Sequence, residues 1–189
     1  MKKIVLLLAA ALTLAACANR SDKGAQQEAA VPQVTTTASA APAAKSQVPA
    51  LGAVQTFDTS AMDFKAVAYR YRQPLPSAFP PDRRGYTYAG VDARVCITSL
   101  KDADVVPLSW MPWSLEFADD TTTEPTSGWS DDWFRVPLYP ADEKLVRPGG
   151  CVRGWVLFEV PKNQRPVRVV YSPDSGTEEG IAPATWAIG

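Results

Sequence analysis

The side chains with the widest chemical range in this chain are three cysteines, Cys17, Cys96 and Cys151, and they occur without any histidine. A chain with no imidazole cannot assemble a Ser-His-Asp or Cys-His nucleophile, a His-ligated zinc or iron site, or a proton shuttle working near neutral pH. Nor does it contain a G-x-S-x-G, P-loop or G-x-G-x-x-G sequence. Carboxylates remain. Asp119, Asp120 and Glu124 form one acidic stretch, and Asp131 and Asp132 form another. Such oxygens suit calcium, but neither stretch has the spaced ligands and glycine of an EF-hand loop. Both read as solvated turns, as does Arg83-Arg84. Paired carboxylates cleave glycosides only at a fixed separation within a cleft, and no such pair stands out. No catalytic residue, metal or cofactor is therefore expected, and the chain reads as non-enzymatic. With 19 basic and 20 acidic side chains the net charge is −1, which offers nucleic acid no general electrostatic attraction.

Cys17 differs from the other two cysteines in its surroundings. It closes an uncharged run, Ile4–Ala16, that follows Met1-Lys2-Lys3. The run is shorter than the roughly 20 residues needed to span a bilayer core, and it has the length and flanks of an export signal. Leu14-Ala15-Ala16-Cys17 resembles the lipobox of bacterial lipoprotein precursors, in which a leucine and two small residues precede the cysteine. The resemblance implies that the Cys17 thiol receives a diacylglyceryl group and that a peptidase removes residues 1–16. Two or three acyl chains such as palmitate, each methylene contributing about 0.8 kcal/mol, hold firmly where one chain is marginal. The expected partner of the mature N-terminus is thus a membrane, on its extracytoplasmic face.

These residues need elements to position them. Residues 17–52 contain no aromatic side chain, are rich in alanine, and are interrupted by Pro32, Pro42 and Pro49. That composition buries too little apolar surface to offset chain entropy, so a tether is expected. As a flexible coil it would reach roughly 30 Å. Every aromatic residue lies at or beyond Phe57, which assigns 53–189 to one domain. Here an apolar period of two recurs and a period of 3.6 does not. Phe64–Arg72 is read as a strand with Val67, Tyr69 and Tyr71 on one face. Tyr86–Thr98 sets Val91, Ala93, Val95 and Ile97 against Asp92, Arg94, Cys96 and Thr98. Trp113–Phe117, Phe134–Leu138 and Val152–Val160 alternate likewise, and Val167–Tyr171 and Thr185–Ile188 complete the set. Turns rich in proline, glycine and aspartate separate them, at Pro80–Asp82, Arg147–Gly150 and Ser172–Gly176. Seven or eight short strands with this punctuation predict an all-β, antiparallel, immunoglobulin-like β-sandwich, with a small closed barrel as the alternative.

The segment Pro148–Pro161, ending Gly154-Trp155-Val156-Leu157-Phe158-Glu159-Val160-Pro161, resembles a signature of bacterial lipoproteins of unknown function with a telokin-like, immunoglobulin-type domain. Ala89–Thr98, Pro166–Pro173 and Ala184-Thr185-Trp186 extend the resemblance over about 85–189. That family is chiefly Gram-positive, and secreted mycobacterial proteins share its fold. The resemblance implies a fold and a location, the outer face of a Gram-positive cytoplasmic membrane, but no reaction.

With Cys17 lipidated, Cys96 and Cys151 leave an even count in an oxidising compartment. By alternation both point away from the core. Antiparallel neighbouring strands would bring them together, so a surface disulfide is expected, the alternative being free thiols or metal ligands. Trp113 and Trp186 follow the core alternation, and Trp155 shares a face with Cys151. Trp110 and Trp129 fall in loop-like sequence, and Trp133 opposes the inward Phe134. Loop aromatics on a rigid sandwich serve recognition, which makes Trp110, Trp129 and Trp133 candidate partner-binding residues. The functional expectation is a lipid-anchored, non-catalytic interaction module of the cell surface, with an unknown protein or glycan partner. The alternative is a solute- or glycan-binding lipoprotein serving a transporter or the wall.

Overall fold

The computed structural model describes residues 47–173 and 181–189. Cys17, the expected signal segment, nearly all of the expected tether and the end of the Ser172–Gly176 turn lie outside them. Ten strands follow along the chain: β1 (Gln55–Asp58), β2 (Met62–Arg72), β3 (Tyr86–Leu100), β4 (Val106–Leu108), β5 (Trp113–Glu116), β6 (Thr122–Thr123), β7 (Lys144–Val146), β8 (Cys151–Pro161), β9 (Arg168–Tyr171) and β10 (Ala184–Ala187). One antiparallel sheet has the order β1-β2-β3-β8, the other β10-β9-β5-β6, and β4 pairs separately with β7. The helical content among the described residues is one 3-10 turn, Asp131–Trp133. The result is an all-β sandwich. Its strand number exceeds the expected seven or eight because short strands such as β4, β6 and β7 carry too few residues to show a period.

The core lies between the two four-stranded sheets. From β3 come Val91, Ala93, Val95 and Ile97, and from β8 come Val152, Val156, Phe158 and Val160, all buried. Trp113, Leu115, Val169, Tyr171 and Trp186 face them from the other sheet. Full burial of such side chains contributes about 1.5–3 kcal/mol each.

Strand β2 corrects the sequence phase. Its core residues are Phe64, Ala66 and Ala68, whereas Val67, though 5% exposed, is the cross-strand partner of Arg94 on the outer face. A bulge between Ala68 and Arg70 then resets the alternation, so that Tyr71 returns to the core side. Phe134–Leu138 is also not a strand. Pro137 has no N–H to give a ladder, and the segment makes only single bridges, Phe134 with Ser77 and Leu138 with Trp155.

A second, smaller cluster sits on the outer face of the first sheet, formed by Leu75, Tyr88, Phe134, Trp155 and Leu157. Trp155 belongs here, opposite Asp92, and not over the disulfide, which lies four positions away along β8. Gly90 makes this possible: a Cβ there would lie 2.9 Å from the indole Cε3. Gly154 serves similarly where the chain crosses at Leu138-Tyr139, which a Cβ would approach to 2.4 Å.

Cys96 and Cys151 are directly paired across β3 and β8 and joined by a disulfide with Cα atoms 4.1 Å apart. The chain joins the domain a few residues earlier than expected. Ala50 bridges to Ala187, and the Gly52 N–H donates to the Ala68 carbonyl over 2.7 Å, because these groups complete open strand edges.

Candidate binding site around Trp129

Between β6 and β7 the chain contains Pro125, Gly128, Pro137 and Pro140, which withhold it from either sheet. This stretch wraps over one side of the sandwich and places Trp129 between the two apolar clusters, in contact with both. The indole is fixed on three sides. Its Nε1–H donates to the Thr126 carbonyl over 2.7 Å, and its ring meets Trp110 and Phe134 edge-on at 5.3 and 6.2 Å. With the N–H already used, the ring has only its apolar surface to offer.

The three loop tryptophans do not form one patch. Trp110 is 6% exposed and belongs to the main core, which corrects its expected role as a surface anchor. The turn from Trp110 to Trp113, closed by the Trp113 N–H on the Trp110 carbonyl, folds it inward beneath Trp129. Trp133 is half-buried and turned elsewhere, packed at 5.1 Å against the exposed Phe79. Of the three, Trp129 alone lines both of the grooves on this side.

Those grooves have volumes of about 720 and 590 Å³ and share Trp129, Asp131, Ala141 and Asp142. The larger runs on past Glu143 and Lys144, and the smaller reaches Trp110 at its base. An indole beside three carboxylates, Asp131, Asp142 and Glu143, can hold an apolar or cationic group on the ring and accept hydrogen bonds from hydroxyl or amino groups. Nothing in the sequence pointed to residues 139–143, because the groove exists only where the long β6–β7 connection folds back on itself.

Of the acidic stretch at 119–124, Asp119 and Asp120 lie in the turn between β5 and β6, while Thr122–Thr123 form β6. Asp119 Oδ1 accepts from the Thr121 hydroxyl and N–H at 2.7 and 3.2 Å, and these bonds hold its carboxyl below the usual range. Among the described residues no group of three metal-ligating side chains gathers.

One polar cluster was not anticipated. Asp92, on the outer face of β3, is 3% exposed and binds two guanidiniums. Arg153 donates from Nε to Oδ1 (3.0 Å) and from Nη2 to Oδ2 (2.9 Å), while Arg70 donates to Oδ2 from Nη2 (2.9 Å) and Nε (3.3 Å). Burial alone would raise the Asp92 pKa. The hydrogen bonds and charges of Arg153 and Arg70 outweigh it and hold the carboxyl below its ordinary value. Arg153 also lies over the Tyr69 ring at 4.4 Å and Arg70 over Trp155 at 5.6 Å.

Fold and site together define an immunoglobulin-like β-sandwich with a loop-built groove on one side. Three solved bacterial structures are similar to it. The secreted protein MPT63 from Mycobacterium tuberculosis has a TM-score of 0.52 at 13% identity, over 77% of this chain and 100% of its own. The Bacillus subtilis putative lipoprotein ycdA has a TM-score of 0.51 at 16% identity over 70% of this chain, which matches 38% of that longer protein. The yjhA protein of the same species has a TM-score of 0.50 at 12% identity, over 75% of this chain and 100% of its own. At these identities the likeness establishes the fold alone. No protein-family model and no curated protein sequence matches the chain. The likeness to telokin-like lipoproteins therefore extends only to a bacterial β-sandwich. Among the described residues no helix is long and apolar enough to cross a membrane.

Proposed function

We propose that this protein is a lipid-anchored, non-catalytic binding module on the extracytoplasmic face of a bacterial membrane, and that its loops around Trp129 hold a protein partner. The observation that carries the binding role is the fixed indole shared by two open grooves. A rigid aromatic surface supplies contact area at low entropic cost, as in interface hot spots. The lipobox at Leu14–Cys17 supports the anchor, and the descriptions of ycdA as a putative lipoprotein and MPT63 as secreted agree with that location. The absence of histidine supports a non-catalytic role. The carboxylates flanking Trp129 favour a second reading, in which a hydroxyl-rich glycan occupies the groove.

The test is photo-crosslinking of neighbours on intact cells, comparing wild type with Trp129→Ala. Loss of a defined protein adduct, with the domain still folded and still on the membrane, is the expected result. Adducts unchanged by Trp129→Ala would refute the site, and quenching of the Trp129 fluorescence by wall-derived oligosaccharides would favour the glycan. Cys17→Ser should release the protein from the membrane, and retention with an unmodified N-terminus would refute the anchor.

A further inference from the structure

The middle of the outer face of the β1-β2-β3-β8 sheet carries a surplus of cations that the fold does not need, flanked by Asp58 and Asp63, paired with Lys101, at one end and by Glu159 at the other. Four successive cross-strand rows read Lys65–Cys96–Cys151, Val67–Arg94–Arg153, Arg70–Asp92–Trp155 and Arg72–Gly90–Leu157, which places five cations and one carboxylate on one surface. Among the described residues Asp92 is the ion-pair partner of both Arg70 and Arg153, whose side chains remain 68% and 51% exposed. Lys65, Arg72 and Arg94 have no ion-pair partner there. Arg94 stands directly opposite Arg153, and its Nη2 lies 3.0 Å from the Cys151 sulfur. Like charges directly opposed across strands weaken a sheet. The chain as a whole is almost neutral, so this concentration is local.

A broad face of spread cations complements an extended anionic surface more than a single ion. The way the chain reaches it indicates which surface. Pro49–Gly52 lead directly into β1, the outer strand of this same sheet, and the segment before them is the expected tether from a lipidated Cys17. We propose that this face docks on the anionic phospholipid headgroups of the membrane to which the protein is anchored. Asp92 acts as a positioning residue that gathers and orients Arg70 and Arg153 while cancelling one of the five charges. The choice of lipid as occupant rests on the anchored reading above, and the charge of the face does not.

The full chain is mixed with vesicles of phosphatidylcholine alone or with equimolar phosphatidylglycerol, and an amine-reactive reagent reports the exposure of Lys65. Lys144, exposed on β7, is the internal standard. Lys65 should be protected relative to Lys144 on phosphatidylglycerol only, and the protection should vanish at ~1 M salt, where screening acts within ~3 Å. Arg72→Gln with Arg94→Gln removes two cations without breaking an ion pair. Each cation near an anionic membrane changes the partition about fivefold, so the docking equilibrium should fall about 25-fold while the melting curve holds. Equal labelling of Lys65 on both vesicle types would overturn the proposal, as would protection by soluble polyphosphate but not by vesicles. Failure to associate with phosphatidylcholine would instead count against the anchor, and protection on phosphatidylglycerol would still decide the docking.

Discussion

Replacing Asp92 by alanine deletes the one carboxylate that four guanidinium N–H groups converge on. Had both partners been buried, stranding their charges would cost about 3–5 kcal/mol. They are not: Arg70 and Arg153 are more than half exposed, and water takes over when the carboxylate goes. What is lost is two ion pairs with largely solvated partners, each about 0.2–1 kcal/mol. The expected loss is therefore about 0.4–2 kcal/mol. Asp92→Asn should recover less than half of it, since the amide keeps one acceptor oxygen but turns an NH₂ donor towards an arginine. The pH dependence follows from a folded pKa held below the ordinary 3.8. A carboxyl with a depressed pKa contributes stability that is present above its unfolded pKa and disappears as pH falls through the folded value. The gap between wild type and Asp92→Ala should thus be full near pH 7 and close progressively below pH 3.8. Urea melts followed by tryptophan fluorescence at a series of pH values measure both. A loss above about 3 kcal/mol would mean that the guanidiniums are effectively desolvated, and a gap that ignores pH would show that packing, not charge, is at work.

Three further outcomes are expected. Replacing Cys96 and Cys151 together by alanine opens a bond spanning 55 residues of sequence and should cost roughly 4 kcal/mol on the chain-entropy account, read as a lower urea midpoint with a steeper slope, because the unfolded chain is no longer cross-linked. Trp110→Ala should cost about 3–5 kcal/mol, as should Trp113→Ala and Trp186→Ala, while the half-buried Trp129→Ala costs less than half as much; equal losses at all four would assign Trp129 to the core alone. Gly154→Ala forces a methyl to within 2.4 Å of the Leu138-Tyr139 backbone and should lower stability by more than about 2 kcal/mol. A thermal melt close to wild type would show that the crossing chain yields freely.

The long strands were readable because their two faces differ sharply. In Val91–Thr98 apolar residues alternate with charged or polar ones, and in Val152–Val160 the valines and Phe158 keep one phase, and the disulfide followed from that phase together with antiparallel neighbours. β2 was misread because the core side consists of alanines, Ala66 and Ala68, which carry less apolar signal than Val67 and the tyrosines beside them. A bulge of one residue then reversed the parity, and the pattern of side chains does not announce bulges. Trp110 looked like a loop anchor because local sequence reports the absence of a strand, while burial depends on what the loop folds against. The Asp92 cluster draws on strands 22 and 61 residues away. Its members look like ordinary polar positions until the register aligns them. The groove around Trp129 is of the same kind, a product of one long connection folding back on itself.

The two surfaces singled out here rest on supports of different durability. The basic face spans β2, β3 and β8, and the β3–β8 ladder beneath part of it has eleven paired positions closed by a covalent bond at one end and lying under the Trp155 cluster towards the other. Local opening of such a ladder approaches the cost of unfolding the whole domain, so its amides should exchange last. The segment around Trp129 is tied by isolated bridges and a few hydrogen bonds rather than by a ladder. One side of the molecule is thus a fixed plate whose charges keep their spacing. The other is held by the aromatic side chains it buries, Phe134 and Tyr139 among them, and only as firmly as they are.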